Sequence, residues 1–565
     1  MTELLDSPTP ATTTATDYLR TITRARSATE GRQWRAAAQL WHHAVAANPV
    51  DGNNWYRLAE ATFAAGDYRG ALVAYERALS LGVWERHVEP VPPPELHYQL
   101  ARCHAQLGDA AAAQRALTAA LDAGYRDTDQ VWADEQLASL RSEKWFATMF
   151  GPPEPDLSRD DGWRADLRLL AREVQRRSYH LRARIDVGRF HAAVDRLDRD
   201  IPQLTDAQIL VELKKLMALL DDGHAFVLPR RDDTALRRAL PVLFYQFVEG
   251  VFITATAPEH ARLLGARVLA FDDHLLVDVV NTLGPLIARD NDHWASFIAP
   301  QLMRQTVIMH GVGVLADPAQ ATLTVELADG TTSKATLPAD ALASPLIEAE
   351  PCPPSWRFLP HEVPGELPRY LRNPAAPYWF DVLDPEPIAY VQWNSIANAR
   401  AEPVDRFWDR LLRTVDEHDL DRLVIDLRAN GGGNTFLTVP VLHRLIGHQR
   451  INQRGHLFVV IGRNTFSAAQ NFTTELARHT NAIFVGEPTG SRPNFVGETA
   501  PFELPNSKLL ANVSDLYWQT SWPLDHRSWI APDVYAPPTF AAFAVNRDVA
   551  IEAILSLAKE RLPGW

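Results

Sequence analysis

The sequence predicts a multidomain α+β protein: helical repeats at the front, a helical segment, a β-rich module, and an α/β core toward the C-terminal end. Three observations carry this reading. A 34-residue period recurs between residues 31 and about 125, short β-rich runs fill residues 235 to 345, and strand and helix patterns alternate from residue 386 onward.

Residues 1–30 are rich in Thr, Ser and Ala and read as a loose tail. The repeats occupy 31–150. Trp34, Ala37, Trp41 and Ala44 recur 34 positions later as Tyr68, Ala71, Tyr75 and Ala78, and a third time as Ala113 and Ala120. Gly66-Asp67 returns as Gly108-Asp109, and the longer third interval fits the break Val91-Pro92-Pro93-Pro94. Small residues at these sites let paired helices approach closely, and the pattern resembles the tetratricopeptide repeat. Residues 151–232 read as helical. Asp206 to Leu220 carries a stripe of Ile209, Leu210, Leu213, Leu216, Met217 and Leu220 and ends at Asp221-Asp222-Gly223-His224. Residues 233–345 form the β-rich module, with runs at 243–245, 251–254, 267–270 and 321–325 and a helical stretch from Leu276 to Ile287. A Pro-rich connector, 346–385, is expected on the surface. In 386–565, strands at 388–393, 423–427, 457–461 and 483–485 alternate with helices, as parallel βαβ units do.

The chain has 565 residues, 46% hydrophobic and 22% charged, which excludes a mostly disordered protein and a small disulfide scaffold. A net charge of −14 argues against general nucleic-acid binding. Cys103 and Cys352 stand far apart and give no Cys-based zinc site, and no phosphate-binding or dinucleotide fingerprint occurs, so no metal or organic cofactor is expected. No secretory signal and no membrane span are read, and the expected location is the cytoplasm.

Two loops follow core strands, where sites gather in α/β sheets. Asp426-Leu427-Arg428-Ala429-Asn430-Gly431-Gly432-Gly433-Asn434 can turn backbone N–H groups outward, and it can equally be a tight turn. In the other loop, Ser467 starts a helix after a buried strand; Ser467-Ala468-Ala469-Gln470 also spells a capping box.

Taken in order, Leu423 to Gly433, Thr465-Phe466-Ser467-Ala468-Ala469, Val485 to Gly490 and Ile530-Ala531-Pro532-Asp533-Val534 resemble the tail-specific protease superfamily, which includes the carboxyl-terminal-processing proteases and the tricorn core protease. With Leu219 to His224 and the β-rich module, the resemblance reaches back to about residue 156. It implies a crotonase-like α/β core, and a PDZ-like fold for residues 233–345. It implies Ser467 as nucleophile, with the N–H groups of Ala468 and Gly432 as oxyanion hole. It also implies a peptide or protein substrate, with the repeats recruiting a protein partner.

Many relatives pair Ser with Lys. The position resembling that lysine holds Arg492, which stays protonated, and no lysine lies between Lys334 and Lys508. The tricorn-like branch uses His, and its motif matches Asp222-Gly223-His224, so His224 is the expected base. That branch has Ser before the His where this chain has Gly223, so another group must orient His224. Asp525, 58 residues after Ser467, is the first candidate and Glu498 the second, while Asp533 reads as a turn cap. Asp426 and Arg428 are expected as a buried ion pair shaping the glycine loop. The reading is a serine peptidase acting through an acyl-enzyme, with activity rising with pH through ~6–7 as the imidazole loses its proton. The alternatives are a non-catalytic binding protein of the same fold, or a dedicated esterase or acyl transferase.

Overall fold

The computed structural model describes residues 14–83, 93–125, 127–151, 157–183, 186–342, 352–383, 385–499 and 501–559. The chain divides near residue 156 into two units.

The first unit is helical. Helices Ala15–Glu30, Trp34–Ala47, Gly52–Ala64, Tyr68–Leu81, Pro93–Gln106 and Ala110–Asp122 follow one another, then shorter turns to Phe150. Residues 15–30 correct the expected tail. Thr14 caps that helix through the N–H of Asp17, Ala25 and Ala28 are buried, and Trp41 Nε1 donates to Thr29 Oγ1 at 3.0 Å. The repeated alanines 37, 44, 71, 78, 113 and 120 are all buried, so each marks a helix contact. Gly66 and Gly108 take left-handed φ angles of 86° and 77°, and Asp67 and Asp109 then cap the next helix. Residues 1–13 and Val91-Pro92 lie outside the described residues.

The second unit is built around two large sheets, with three smaller ones among the described residues. The β-rich module is antiparallel, with Gly250–Thr256 beside Val242–Phe247 and Arg267–Phe271, then Gln320–Glu326 and Thr332–Pro338. Its core is continuous with the preceding helices: Leu170, Leu213 and Leu216 pack in one cluster with Phe271, Leu323 and Phe466. The helical segment and the module are therefore one body. The connector is also more ordered in its role than expected. Arg357–Phe358 pairs with Gly250–Thr256, and Tyr378–Leu383 is the antiparallel edge strand of the core sheet.

That core sheet runs Tyr378–Leu383, Ile388–Trp393, Arg422–Asp426, Leu457–Ile461, Ile483–Gly486 and Val534–Tyr535, parallel after the first strand. Its inner strands are buried on both faces, as continuous apolar runs require. Val391, Ile425 and Val459 face helices Val404–Glu417, Val439–Gly447 and Ala468–His479, while Tyr390, Val424 and Phe458 face the C-terminal helix Val549–Lys559. The glycine loop and Ser467 thus leave the same end of the sheet. Among the described residues no helix is long and apolar enough to cross a membrane, and no group of three or more His, Cys, Asp or Glu could hold a metal.

Candidate active site

Ser467 joins the buried strand Leu457–Ile461 to helix Ala468–His479 with φ 55° and ψ −124°, a conformation that L-residues rarely adopt. The turn is over-determined. Thr465 Oγ1 donates to the Leu427 carbonyl at 2.9 Å and accepts from Gly462 N at 3.0 Å, and Phe466 N donates to the Asn430 carbonyl. At this φ the Ser467 hydroxyl caps nothing, so the capping box is not formed; Gln470 Nε2 bonds Thr474 Oγ1 instead. The structure leaves a buried helix start with an unengaged hydroxyl.

The glycine loop lies directly on this turn. Gly432 has φ 111°, and a Cβ there would sit 2.6 Å from Ser467 Cβ and 2.9 Å from Ala468 N, so only glycine fits. Asn430 sets the loop: its Nδ2 donates to the Trp393 carbonyl and its Oδ1 accepts Gly432 N, both within 2.9 Å. The Gly432 N–H is thereby occupied, whereas Ala468, as first helical residue, has no intrahelical acceptor. Arg428 spans Asp426 (Nη2–Oδ2 2.8 Å) and Asp548 (Nη1–Oδ1 2.9 Å) and lies over the Tyr370 ring. The two carboxylates hold its pKa well above the ordinary value, against the effect of burial. A cavity of about 1090 Å³ opens on the loop, lined by Gly431, Gly432, Asn464, Tyr245 and Trp356 among others.

His224 follows helix Asp206–Ala218 on a tightly held turn. Its N–H donates to Asp222 Oδ1 at 2.8 Å, Gly223 N donates to Asp290 Oδ1 at 3.0 Å, and Asn512 Nδ2 donates to the His224 carbonyl at 2.8 Å. Gly223 is required here: a Cβ would meet the Phe466 ring at 2.9 Å. The residue before His224 therefore packs against the residue before Ser467. The imidazole lies 4.5 Å from the Phe466 ring and is stacked on Phe495 at 5.7 Å. Phe466 is itself stacked on Trp294 at 4.0 Å.

Both ring nitrogens of His224 are buried and bond no side chain; the Val496 backbone is the polar group that faces the ring. Burial pushes the imidazole pKa down to about 4, with only the Val496 backbone opposing it. The ring is neutral at pH 7, as a base must be. The carboxylate beside it is Asp222, with Oδ1 3.8 Å from Nδ1. Asp222 is buried and accepts Ser514 N at 3.1 Å and Ser514 Oγ at 3.0 Å. Burial, then the nearby Asp290, raise its pKa to about 7; burial raises that of Asp290 to about 6.

None of the other expected site residues bonds the His224 ring. Asp525 turns its oxygens to Ser521 Oγ at 2.6 Å and to Arg527 at 2.7 Å, so in this structure it does not bond His224. Those partners hold its pKa below the usual carboxylate range, Arg527 most. Glu498 is exposed at φ 65°. Asp533 accepts Phe484 N. Arg492 straps two turns together, with Nη2 on Asp221 at 2.9 Å and Nε on the Asp290 carbonyl at 2.8 Å. Sequence reading missed Asp222 and Asp290. Asp222 stood two residues before His224, but its burial depends on Ser514, which is distant in sequence.

Neither a protein-family profile nor a curated protein matches the chain. Solved structures do. Mature CPAF complexed with lactacystin matches at 12% identity over 71% of this chain and 98% of that one, with a TM-score of 0.50. A second structure of mature CPAF gives 12%, 71%, 97% and 0.48. The photosystem II D1 C-terminal processing protease gives 14%, 72%, 98% and 0.34. These neighbours are serine-type peptidases of the tail-specific family. At such identity the likeness is one of fold: the chain folds as the tail-specific proteases do.

Proposed function

We propose that the chain is a serine peptidase that cleaves peptides or polypeptide tails through an acyl-enzyme. The observation that carries this reading is the uncapped Ser467 at positive φ, with Gly432 packed on it and the His224 turn against its neighbour Phe466. A serine held in that conformation costs stability that a mere connector would shed.

Ser467 Oγ attacks the scissile carbonyl while His224 takes its proton and returns it to the leaving amine. The Ala468 N–H, at the positive end of its helix, receives the oxyanion first. Gly432 N–H joins only by leaving Asn430. The His224 ring bonds no side chain and is faced only by the Val496 backbone, so tilting toward Ser467 gives up that one contact at most; such contacts tighten when substrate binds. Asp222, rather than Asp525, orients and stabilises the imidazolium, because it is the carboxylate beside Nδ1. Arg428 and Arg492 shape loops. The β-rich module is PDZ-like, the core crotonase-like, and the tetratricopeptide-like repeats recruit a protein partner or substrate.

A serine-directed fluorophosphonate tests the reading. The full chain is expected to carry one adduct, on Ser467, and Ser467→Ala none; an unlabelled wild type contradicts it. The unmade His224–Ser467 hydrogen bond favours one other reading, a non-catalytic binding protein of this fold. That protein would show no adduct.

A further inference from the structure

We propose that an aromatic rim beside Ser467, built from the exposed Phe436 and Trp522 and the half-buried Trp518, grips an apolar or aromatic side chain of the polypeptide lying across the site. This deepens the peptidase reading and rests on it for the identity of the occupant.

The rim is joined to the site at three points. Phe436 stands just past the glycine loop, 72% exposed, on the short turn Thr435–Thr438. Its ring meets that of Trp518 edge to face at 6.3 Å. Trp518 lies on strand Ser514–Gln519, whose partner Asn494–Thr499 places Phe495 opposite it. A Cβ at Gly497 would strike Trp518 Cδ1 at 2.9 Å and Phe495 Cε2 at 3.0 Å, so both rings lean over this glycine. Phe495 in turn stacks on His224. A run of rings therefore leads from the candidate base to the surface.

Asn471 ties the sides together. It is buried one helical turn after Ser467; its Nδ2 donates to Thr435 Oγ1 at 3.0 Å and its Oδ1 accepts Thr520 Oγ1 at 2.8 Å. Phe436 and Trp522 each follow one of these threonines closely. Trp522 is 69% exposed yet held, with the Arg478 guanidinium 5.3 Å over its ring and Asn494 Nδ2 on its carbonyl. Large apolar side chains left in water while their backbone is fixed are the anchors of binding surfaces. Continuity with Ser467 through Asn471 and with His224 through Phe495 selects the occupant: the polypeptide whose carbonyl reaches Ser467. Leu516 shares the face of Trp518 and extends the apolar surface.

The test uses full-length Ser467→Ala, which cannot turn over, and two fluorescent unstructured peptides differing only in Phe and Leu against Ser and Gly. Anisotropy is expected to show about tenfold tighter binding of the apolar peptide, the yield of one buried aromatic side chain. Adding Phe436→Ser or Trp522→Ser should erase that preference, and adding Val277→Ser, an exposed apolar change on helix Leu276–Leu283, should keep it. Equal binding of the two peptides, or a preference untouched by the rim variants, overturns the proposal. So does a concentration-dependent dimer that Phe436→Ser dissolves without changing peptide binding. Fluorophosphonate labelling of the wild type separates the two readings. A labelled enzyme without the preference sinks the rim alone, and a preference without labelling sinks only the catalysis.

Discussion

Two pairs of buried aspartates flank the candidate site, and they are compensated differently. Asp426 and Asp548 share the Arg428 guanidinium, with contacts of 2.8 and 2.9 Å. Asp222 and Asp290 share no cation. Arg492 bonds the backbone carbonyl of Asp290 and acts on its carboxylate only through space, and Ser491 is the side chain that faces that carboxylate. The first pair is tied to one guanidinium and fixes the glycine loop, although burial still raises the pKa of Asp426. The second is left titratable in the neutral range, next to the imidazole that would need it. The same residue type makes a girder in one place and a tunable group in the other, and the deciding factor is where a guanidinium falls.

The largest effect should come from the chemistry both pairs serve. Ser467→Ala is expected to lower peptide turnover by about 10⁴-fold or more, and His224→Ala by on the order of 10³-fold or more, measured as kcat/KM. No cap is lost in the serine variant, so its stability should hardly change. Ser467→Gly should be inactive and more stable by about 1 kcal/mol, since glycine accepts this φ.

Removing the shared cation sharpens the comparison. Arg428→Ala strands two buried carboxylates and should cost about 3–5 kcal/mol in urea unfolding. Asp222→Asn removes one acceptor, because Oδ1 takes the His224 N–H and Oδ2 the Ser514 N–H; it should cost about 1–3 kcal/mol and change the pH dependence. In the folded chain Asp222 keeps its proton to about pH 7, whereas unfolded it releases it near 3.8. Its contribution to stability therefore falls as pH rises through that window. His224 acts oppositely: its folded pKa of about 4 lies below the ordinary 6.5, so it disfavours folding as pH drops from 6.5 toward 4. Asp222→Asn should reduce the loss between about pH 4 and 7 to the share that Asp290 carries, and leave the acid-side loss, as read by thermal melts across pH. The smallest effect is expected at Asp525, whose bond to the half-exposed Arg527 lies away from the imidazole. Asp525→Asn should leave kcat/KM within about threefold, because its oxygens are taken by Ser521 and Arg527 rather than by the imidazole.

Much of this was legible in the sequence. The strand and helix alternation after residue 386 is set by apolar runs such as Leu457–Ile461, which fit only a sheet covered on both faces. Ser467 and the glycine loop follow two such strands and are fixed by local chain geometry. The partners of His224 were not legible, because Asp222 takes its character from Ser514 and Asp290, brought near it by folding. Residues 15–30 were misread for a related reason. Their composition is polar, and the alanines that pin the helix matter only once Trp41 is beside them. The strand Tyr378–Leu383 was hidden by the prolines around it, which an edge position tolerates.

The origin of the pH limb tests the account most directly. A buried imidazole with a pKa of about 4 is already neutral at pH 6, so the ionisations near neutrality belong to Asp222 and Asp290, and Asp222 is the one beside the ring. The rate of fluorophosphonate labelling at Ser467 should therefore rise with pH through about 7 in the wild type. In Asp222→Asn it should be slower and flat across that range. An identical limb in both proteins, or labelling at any residue other than Ser467, would contradict the account.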